Sequence, residues 1–248
     1  MAKPRIIASI EARMGSSRLP GKVLMDVAGK PALTRLVNRL QRSKLLDGIV
    51  LATTISKKDD ALEAWAKAER VDCHRGSEED VLDRVVSAQR QMNSEIVVEV
   101  TGDCTLIDSA VIDLGIHTFL ENDCDVVTNA RKPFFPMGMD IQVYPLKKLA
   151  EVASTIRDPA VREHVSLYFY EHPELYRIIH VFAPQSWYGP DYRFMLDYPE
   201  DLKFINEVYR YLEPEFGEGF GIAEIVALLR AKPEVFEINR HCQDKPLR

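Results

Sequence analysis

Between Ala12 and Lys22 the chain reads Ala-Arg-Met-Gly-Ser-Ser-Arg-Leu-Pro-Gly-Lys. Arg13, Arg18 and Lys22 supply cations, Ser16 and Ser17 supply hydroxyls, and Gly15 and Gly21 leave the main chain open to close approach. These are the groups a triphosphate requires: fixed positive charge, hydrogen-bond donors and accessible backbone amides. The run is not a Walker A loop, because its glycines stand one residue further apart and Val23 occupies the place of the magnesium-binding Ser or Thr. No Gly-x-Gly-x-x-Gly string occurs, so a dinucleotide site is unsupported. On composition alone the same residues also suit a solvated turn.

Placing such a loop requires a strand before it, since ligands of open parallel sheets bind beyond the carboxyl ends of strands. Apolar, β-rich runs at 5–10, 49–53, 71–74, 96–100 and 125–128 read as buried strands. Between them Leu33, Leu36, Val37 and Leu40 form an i, i+3, i+4, i+7 stripe, and 59–69, 79–91 and 108–122 also read as helices. This alternation predicts an α/β fold with right-handed crossovers and a mostly parallel sheet. Further on, a Pro/Gly/aromatic stretch at 132–138 leads to strands at 140–144 and 176–183, with two helical patterns between them. Helices at 199–211 and 222–231 and an irregular tail after Pro233 close the chain. We read 1–248 as one domain. Its nucleotide half covers about 1–130, an inserted acceptor and dimerisation arm about 131–195, and closing helices and tail 196–248.

The 248 residues are 46% hydrophobic, enough for a core without metals or disulfides. A net charge of -6 argues against nucleic acid or an anionic membrane as partner. Residues 1–24 nevertheless carry Lys3, Arg5, Arg13, Arg18 and Lys22 against Glu11 alone, a local +4 that leaves -10 for the remainder. A small cationic spot on an acidic protein suits a small anion. Cys73, Cys104, Cys124 and Cys242 show no metal-ligand spacing, so reduced thiols in a cytoplasmic protein are expected. No apolar run is long enough for a signal segment or a membrane helix.

The string from Ala12 to Leu24, A-R-M-G-S-S-R-L-P-G-K-V-L, resembles the nucleotide loop of the CTP-using cytidylyltransferases that make CMP-Kdo and CMP-sialic acids. The likeness is greatest to the spore coat polysaccharide biosynthesis protein F group. It continues through Ala52-Thr53-Thr54, Arg75-Gly76-Ser77-Glu78-Glu79-Asp80-Val81-Leu82-Asp83-Arg84, Thr101-Gly102-Asp103-Cys104, Gly138-Met139-Asp140, Arg162-Glu163-His164-Val165 and Leu196-Asp197-Tyr198-Pro199-Glu200-Asp201-Leu202. The resemblance implies a Rossmann-like nucleotidyltransferase fold, usually dimeric, that moves CMP from CTP to an acceptor and releases pyrophosphate.

On this resemblance Arg13, Arg18 and Lys22 hold the triphosphate, with Ala12, Gly15 and Ser16 completing the loop. Backbone groups near Ala8 to Ala12 and the segment 75–84, with Ser77 and Asp80, are expected to surround cytosine and ribose, although Ser77 and Asp80 are equally suited to cap the helix from Glu79. Asp103 and Asp197 match the family's metal aspartates, so Mg²⁺ is the expected cofactor. Asp197 also suits an N-cap ahead of the Pro-led turn at Pro199. Asp140, Arg162, His164 and Arg193 fall in the acceptor part, where the arginines could bind a carboxylate or phosphate and Asp140 a hydroxyl or metal. His164 is a candidate general base, but a lone His on a helix is more often structural. An acidic sugar is the expected acceptor. A phosphate-bearing acceptor giving a CDP-linked product, or a nucleotide-binding module without catalysis, are the alternatives. Glu11 stands where relatives often have Pro or Gln, Thr105 replaces a common Pro, and the Kdo-type string Ser-Gly-Thr-Glu-Arg is absent. These departures move the likeness away from CMP-Kdo synthetase itself and leave Glu11 without an assigned role.

Overall fold

The computed structural model describes residues 3–132 and 134–243. Its strands are β1 (Ile6–Glu11), β2 (Asp26–Val27), β3 (Lys30–Pro31), β4 (Gly48–Thr54), β5 (Asp72–Gly76), β6 (Ile96–Thr101), β7 (Val126–Thr128), β8 (Gln142–Pro145) and β9 (Ile178–His180). The helices are α1 (Ala32–Leu40), α2 (Asp60–Glu69), α3 (Val81–Gln91), α4 (Ser109–Glu121), α5 (Leu146–Thr155), α6 (Pro159–Glu163), α7 (Leu167–Glu171), α8 (Pro199–Phe216), α9 (Ile222–Ala231) and α10 (Pro233–Phe236).

Successive residues of β1 belong to different cores. Ile6, Ala8 and Ile10 pack with α1, α4, α8 and α9, whereas Ile7 packs with α3, α5 and α7 on the opposite face. A strand buried on both faces is mostly apolar, which is why β1 and β6 read as apolar runs, interrupted by Ser9 in β1 and Glu99 in β6. The seven-stranded sheet has the order β5-β4-β1-β6-β8-β7-β9, and β2 and β3 form a separate small ribbon. β1, β4, β5 and β6 run parallel, so Glu11, Thr54, Gly76 and Thr101 end at one edge of the sheet. β8 enters between β6 and β7 antiparallel to both, with Gln142 opposite Glu99 and Thr128. The turn into β8, which carries Asp140, therefore lies at the same edge as the loops after β1 and β6.

The architecture is the mostly parallel α/β sheet expected, with local differences. The helix read over 79–91 begins at Val81 because the Asp80 carboxylate caps it, accepting from Asp83 N at 2.9 Å. The strand read over 176–183 is only Ile178–His180, since it lies at the sheet edge with β7 as its neighbour. The tail expected to be irregular contains α10, started by Pro233 in a first turn that needs no amide there. Residues 244–248 of that tail lie outside the described residues. No described helix is long and apolar enough to cross a membrane.

Candidate active site

The loop after β1 is closed by its own backbone and by one buried acid. Met14 O accepts from Ser16 N and Gly21 N, both at 3.0 Å, while Met14 N donates to Asp59 Oδ1 at 2.7 Å. Gly21 has φ 72°, a left-handed conformation that costs an L side chain, and it turns the chain directly into Lys22. Leu19 and Val23 are anchored in the core, so the loop delivers Lys22 from a fixed base.

Lys22 Nζ lies 2.8 Å from Asp103 Oδ2 and 2.7 Å from Asp197 Oδ1. Asp103 arrives from the end of β6 through Thr101-Gly102. A Cβ on Gly102 would stand 2.8 Å from Ala12 Cβ, so glycine permits the ends of β1 and β6 to close together there. Thr101 Oγ1 donates to Asp103 Oδ1 at 2.6 Å, fixing the carboxylate. Asp197 also receives Arg18 at 2.6 Å and Arg193 at 3.1 Å.

Behind Asp197 lies a third acid. Asp201 accepts from Arg193 Nε at 3.0 Å, Asn239 Nδ2 at 2.9 Å and the backbone amides of Asp197 and Tyr198 at 2.9 and 3.0 Å. Arg18, Lys22 and Arg193 thus face Asp103, Asp197 and Asp201, a charge-balanced cluster. Burial works to lower the Lys22 ammonium, but Asp103 and Asp197 outweigh it and hold its pKa above the ordinary lysine value. Burial would raise Asp103; Lys22 overcomes this and holds it below the usual carboxylate range. Both groups are charged at neutral pH.

Oxygen donors that converge on one ammonium also suit a hard cation. Asp103 and Asp197 are the pair of carboxylates around Lys22, and an octahedral Mg²⁺ needs only one or two of these besides phosphate and water oxygens. The donor set therefore fits Mg²⁺.

The remaining expected residues divide into those facing the loop and those engaged elsewhere. Arg13 is exposed, and its Nη1 donates to Glu78 O at 3.5 Å. Ala12 is buried at the foot of the loop, Gly15 is exposed, and Ser16 Oγ accepts from Leu19 N at 3.3 Å. Ser77 Oγ accepts from Asp80 N at 3.1 Å, so Ser77 and Asp80 both serve the start of α3. Asp80 Oδ2 additionally binds Arg162 through Nε at 2.9 Å, while Arg162 Nη1 donates to Ala153 O at 2.7 Å. Arg162 and Arg193, expected at the acceptor, are thereby committed to carboxylates of the chain itself. His164 ends α6 at its C-cap. Asp140 lies beside Gly138, whose amide is 3.4 Å from Oδ2.

Three features escaped sequence reasoning, and a fourth residue, Glu11, was singled out by the sequence without a role. Asp201 and Asn239 form the support under Arg193 and Asp197. Arg131 and Lys132 are exposed three and four residues beyond the end of β7, at the same sheet edge as the turn into β8, and an Arg-Lys pair shortly after a strand was the signal for them. Glu99 is buried inside β6, where its carboxylate accepts from Tyr144 Oη at 2.5 Å. Burial lifts its pKa to about 7 despite that bond and one from Ser166. Glu11 has its pKa pushed well up by burial and by Glu99 on the neighbouring strand, and Ser9 Oγ donates to its Oε1 at 3.4 Å. A groove of about 580 Å³ bordered by Ala28, Asn206 and Pro214 lies further along α8, away from the charged cluster.

Residues 7–231 match the sequence profile of the family described as Cytidylyltransferase. The spore coat polysaccharide biosynthesis protein SpsF of Bacillus subtilis is 32% identical over 235 residues, covering 92% of this chain and 95% of that protein. A solved cytidylyltransferase from Leptospira borgpetersenii superposes with a TM-score of 0.89 at 30% identity, covering 98% of this chain and all of that one. A CMP-2-keto-3-deoxy-manno-octonic acid synthetase solved with CTP has the same fold, with a TM-score of 0.62 at 19% identity over 83% of this chain and 98% of that one.

Proposed function

Because the chain belongs to the cytidylyltransferase family, we propose that it transfers CMP from CTP to an acidic sugar of the 2-keto-3-deoxy or nonulosonic acid type, releasing pyrophosphate, in cytoplasmic assembly of a surface polysaccharide. The observation that carries this reading is Lys22, fixed at the end of a cationic loop between two carboxylates at the carboxyl edge of the sheet.

In the reaction the acceptor oxygen attacks the α-phosphorus, the bond from that phosphorus to the bridging oxygen breaks, and pyrophosphate leaves with the electron pair. Lys22, Arg18 and Arg13 offer positive charge to the triphosphate and to the oxygens on which charge grows. Since the inner cluster is already neutral, extra cation is needed to receive a polyanion. Arg13 supplies part of it from the exposed side, and Mg²⁺ held by Asp103 and Asp197 would supply the rest by neutralising phosphate charge. Asp140, at the head of β8, is assigned the acceptor hydroxyl and its proton, with His164 as the alternative base. Arg131 and Lys132 are assigned the acceptor carboxylate, the role that paired Arg162 and Arg193 do not offer. A homodimer built through the 131–195 arm belongs to the same proposal.

The test is pyrophosphate release from each nucleoside triphosphate with Mg²⁺ against Kdo, several nonulosonic acids and a set of sugar phosphates. Turnover with CTP and a 2-keto acid sugar, abolished by EDTA, is expected. Turnover restricted to a phosphate-bearing acceptor would replace this reading with a CDP-forming one.

A further inference from the structure

We infer that Glu200, His241 and Cys242 form a binding site for a divalent transition-metal ion of the zinc class, which ties the end of the described chain to the first turn of α8. One carboxylate oxygen, one imidazole nitrogen and one thiol sulfur lie within 4.8 Å of one another there. Glu200 and Cys242 are half-buried, whereas His241 is exposed. With Zn–S at about 2.3 Å and Zn–N at about 2.0 Å, tetrahedral ligands stand about 3.5 Å apart, so side-chain rotation of about an ångström closes the set.

The backbone around the three ligands is already pinned. Cys242 N donates to Asn239 O at 3.0 Å, and Tyr198 Oη donates to Gln243 O at 3.1 Å. Asn239 Nδ2 holds Asp201 Oδ1 at 2.9 Å and Arg193 O at 3.0 Å. The backbone that carries His241 and Cys242 is thus held in place by contacts that do not involve the three ligand atoms.

The donor set discriminates between ions. Sulfur and nitrogen favour zinc and its soft or borderline neighbours, while magnesium takes oxygen. This position is therefore chemically distinct from the all-oxygen pair Asp103 and Asp197. Three protein ligands leave a fourth place for water. On coordination the Cys242 thiol proton leaves to solvent. The sequence alone did not show the triad, because Glu200 is brought to the adjacent pair His241 and Cys242 only by packing of the tail under α8.

The experiment uses the untagged full-length chain titrated with Co²⁺ and then Zn²⁺. One Co²⁺ per chain should give visible tetrahedral bands and a near-ultraviolet sulfur-to-cobalt charge-transfer band, displaced by stoichiometric Zn²⁺ and unaffected by excess Mg²⁺. Cys242→Ser should remove the charge-transfer band and weaken binding at least about tenfold, and Glu200→Gln should weaken it by about tenfold while keeping that band. In the unaltered chain Zn²⁺ should protect Cys242 from iodoacetamide, as read by peptide mapping, which guards against a variant that misfolds. Absence of stoichiometric Co²⁺ binding, or unchanged alkylation of Cys242 with Zn²⁺, overturns the inference.

Discussion

Lys22 and Asp197 meet at 2.7 Å across 175 positions of sequence, and Asp103 joins them at 2.8 Å. One ammonium thus ties the loop after β1, the loop after β6 and the approach to α8. Lys22→Ala should lower the rate of pyrophosphate release by at least about 100-fold, the scale of losing a charge aimed at a developing anion. It also leaves Asp103 and Asp197 facing each other without their shared cation. Initial rates with CTP measure the effect, and undiminished activity would remove the loop from the mechanism.

Asp201 gives a prediction about stability. Its carboxylate is fully buried and satisfies Arg193, Asn239 and two backbone amides. Asp201→Ala leaves buried Arg193 with Asp197 as its remaining carboxylate and takes their acceptor from the two backbone amides and Asn239 Nδ2, so it should cost about 2–4 kcal/mol. Urea unfolding of the variant and the parent chain gives the difference. A loss below about 1 kcal/mol would mean that Arg193 finds other partners.

Glu99 makes stability depend on pH. Its folded pKa of about 7 lies above the unfolded value of 4.5, with burial the first cause. The native state therefore holds a proton that the unfolded state has lost across this window. The contribution is full below about pH 4.5 and is lost as pH rises through about 7. Glu99→Gln keeps an acceptor for Tyr144 and does not titrate. Relative to the parent it should gain roughly 3 kcal/mol between pH 4.5 and 8, at about 1.4 kcal/mol per pKa unit. Parallel urea curves across that range that stay a constant distance apart would refute it.

Gly102 tests the closeness of β1 and β6. In Gly102→Ala the new methyl would stand 2.8 Å from Ala12 Cβ and 3.0 Å from Glu11 O. Relief requires the strand ends to separate, at a cost of about 1–3 kcal/mol, and moves Asp103 relative to Lys22. A lower melting temperature together with at least about a tenfold loss of kcat/KM is expected. A variant with parental melting and kinetics would show that the two ends have slack.

The parallel core and the nucleotide loop were legible because their signals are local. A strand buried on both faces is a mostly apolar run, and the residues from Arg13 to Lys22 lie within one short loop. Distant pairing was not legible. Nothing in the types of Arg162 and Asp80 tells that they join across 82 positions, so an arginine that suits an acceptor turned out to brace the start of α3. Arg193 is similar: its use depends on Asn239, delivered by the tail. Glu11 and Glu99 act on each other only through the register that sets Glu11 beside Thr101, two residues beyond Glu99 on the same face. The antiparallel entry of β8 likewise follows from a turn direction that apolar periodicity does not encode.

The long span between Lys22 and Asp197 also sets an order of events during synthesis. At about 5–20 residues per second, the 175 positions between them take about 9–35 s to be synthesised. Once Asp103 has emerged, β1, β4, β5 and β6 can assemble with Lys22 paired to Asp103 alone, and Asp197 enters later with Arg193 and Asp201 as a nearly contiguous block. A chain that stalls before residue 197 would carry Arg18 and Lys22 with Asp103 as their one carboxylate, leaving positive charge that Asp197 neutralises in the finished protein.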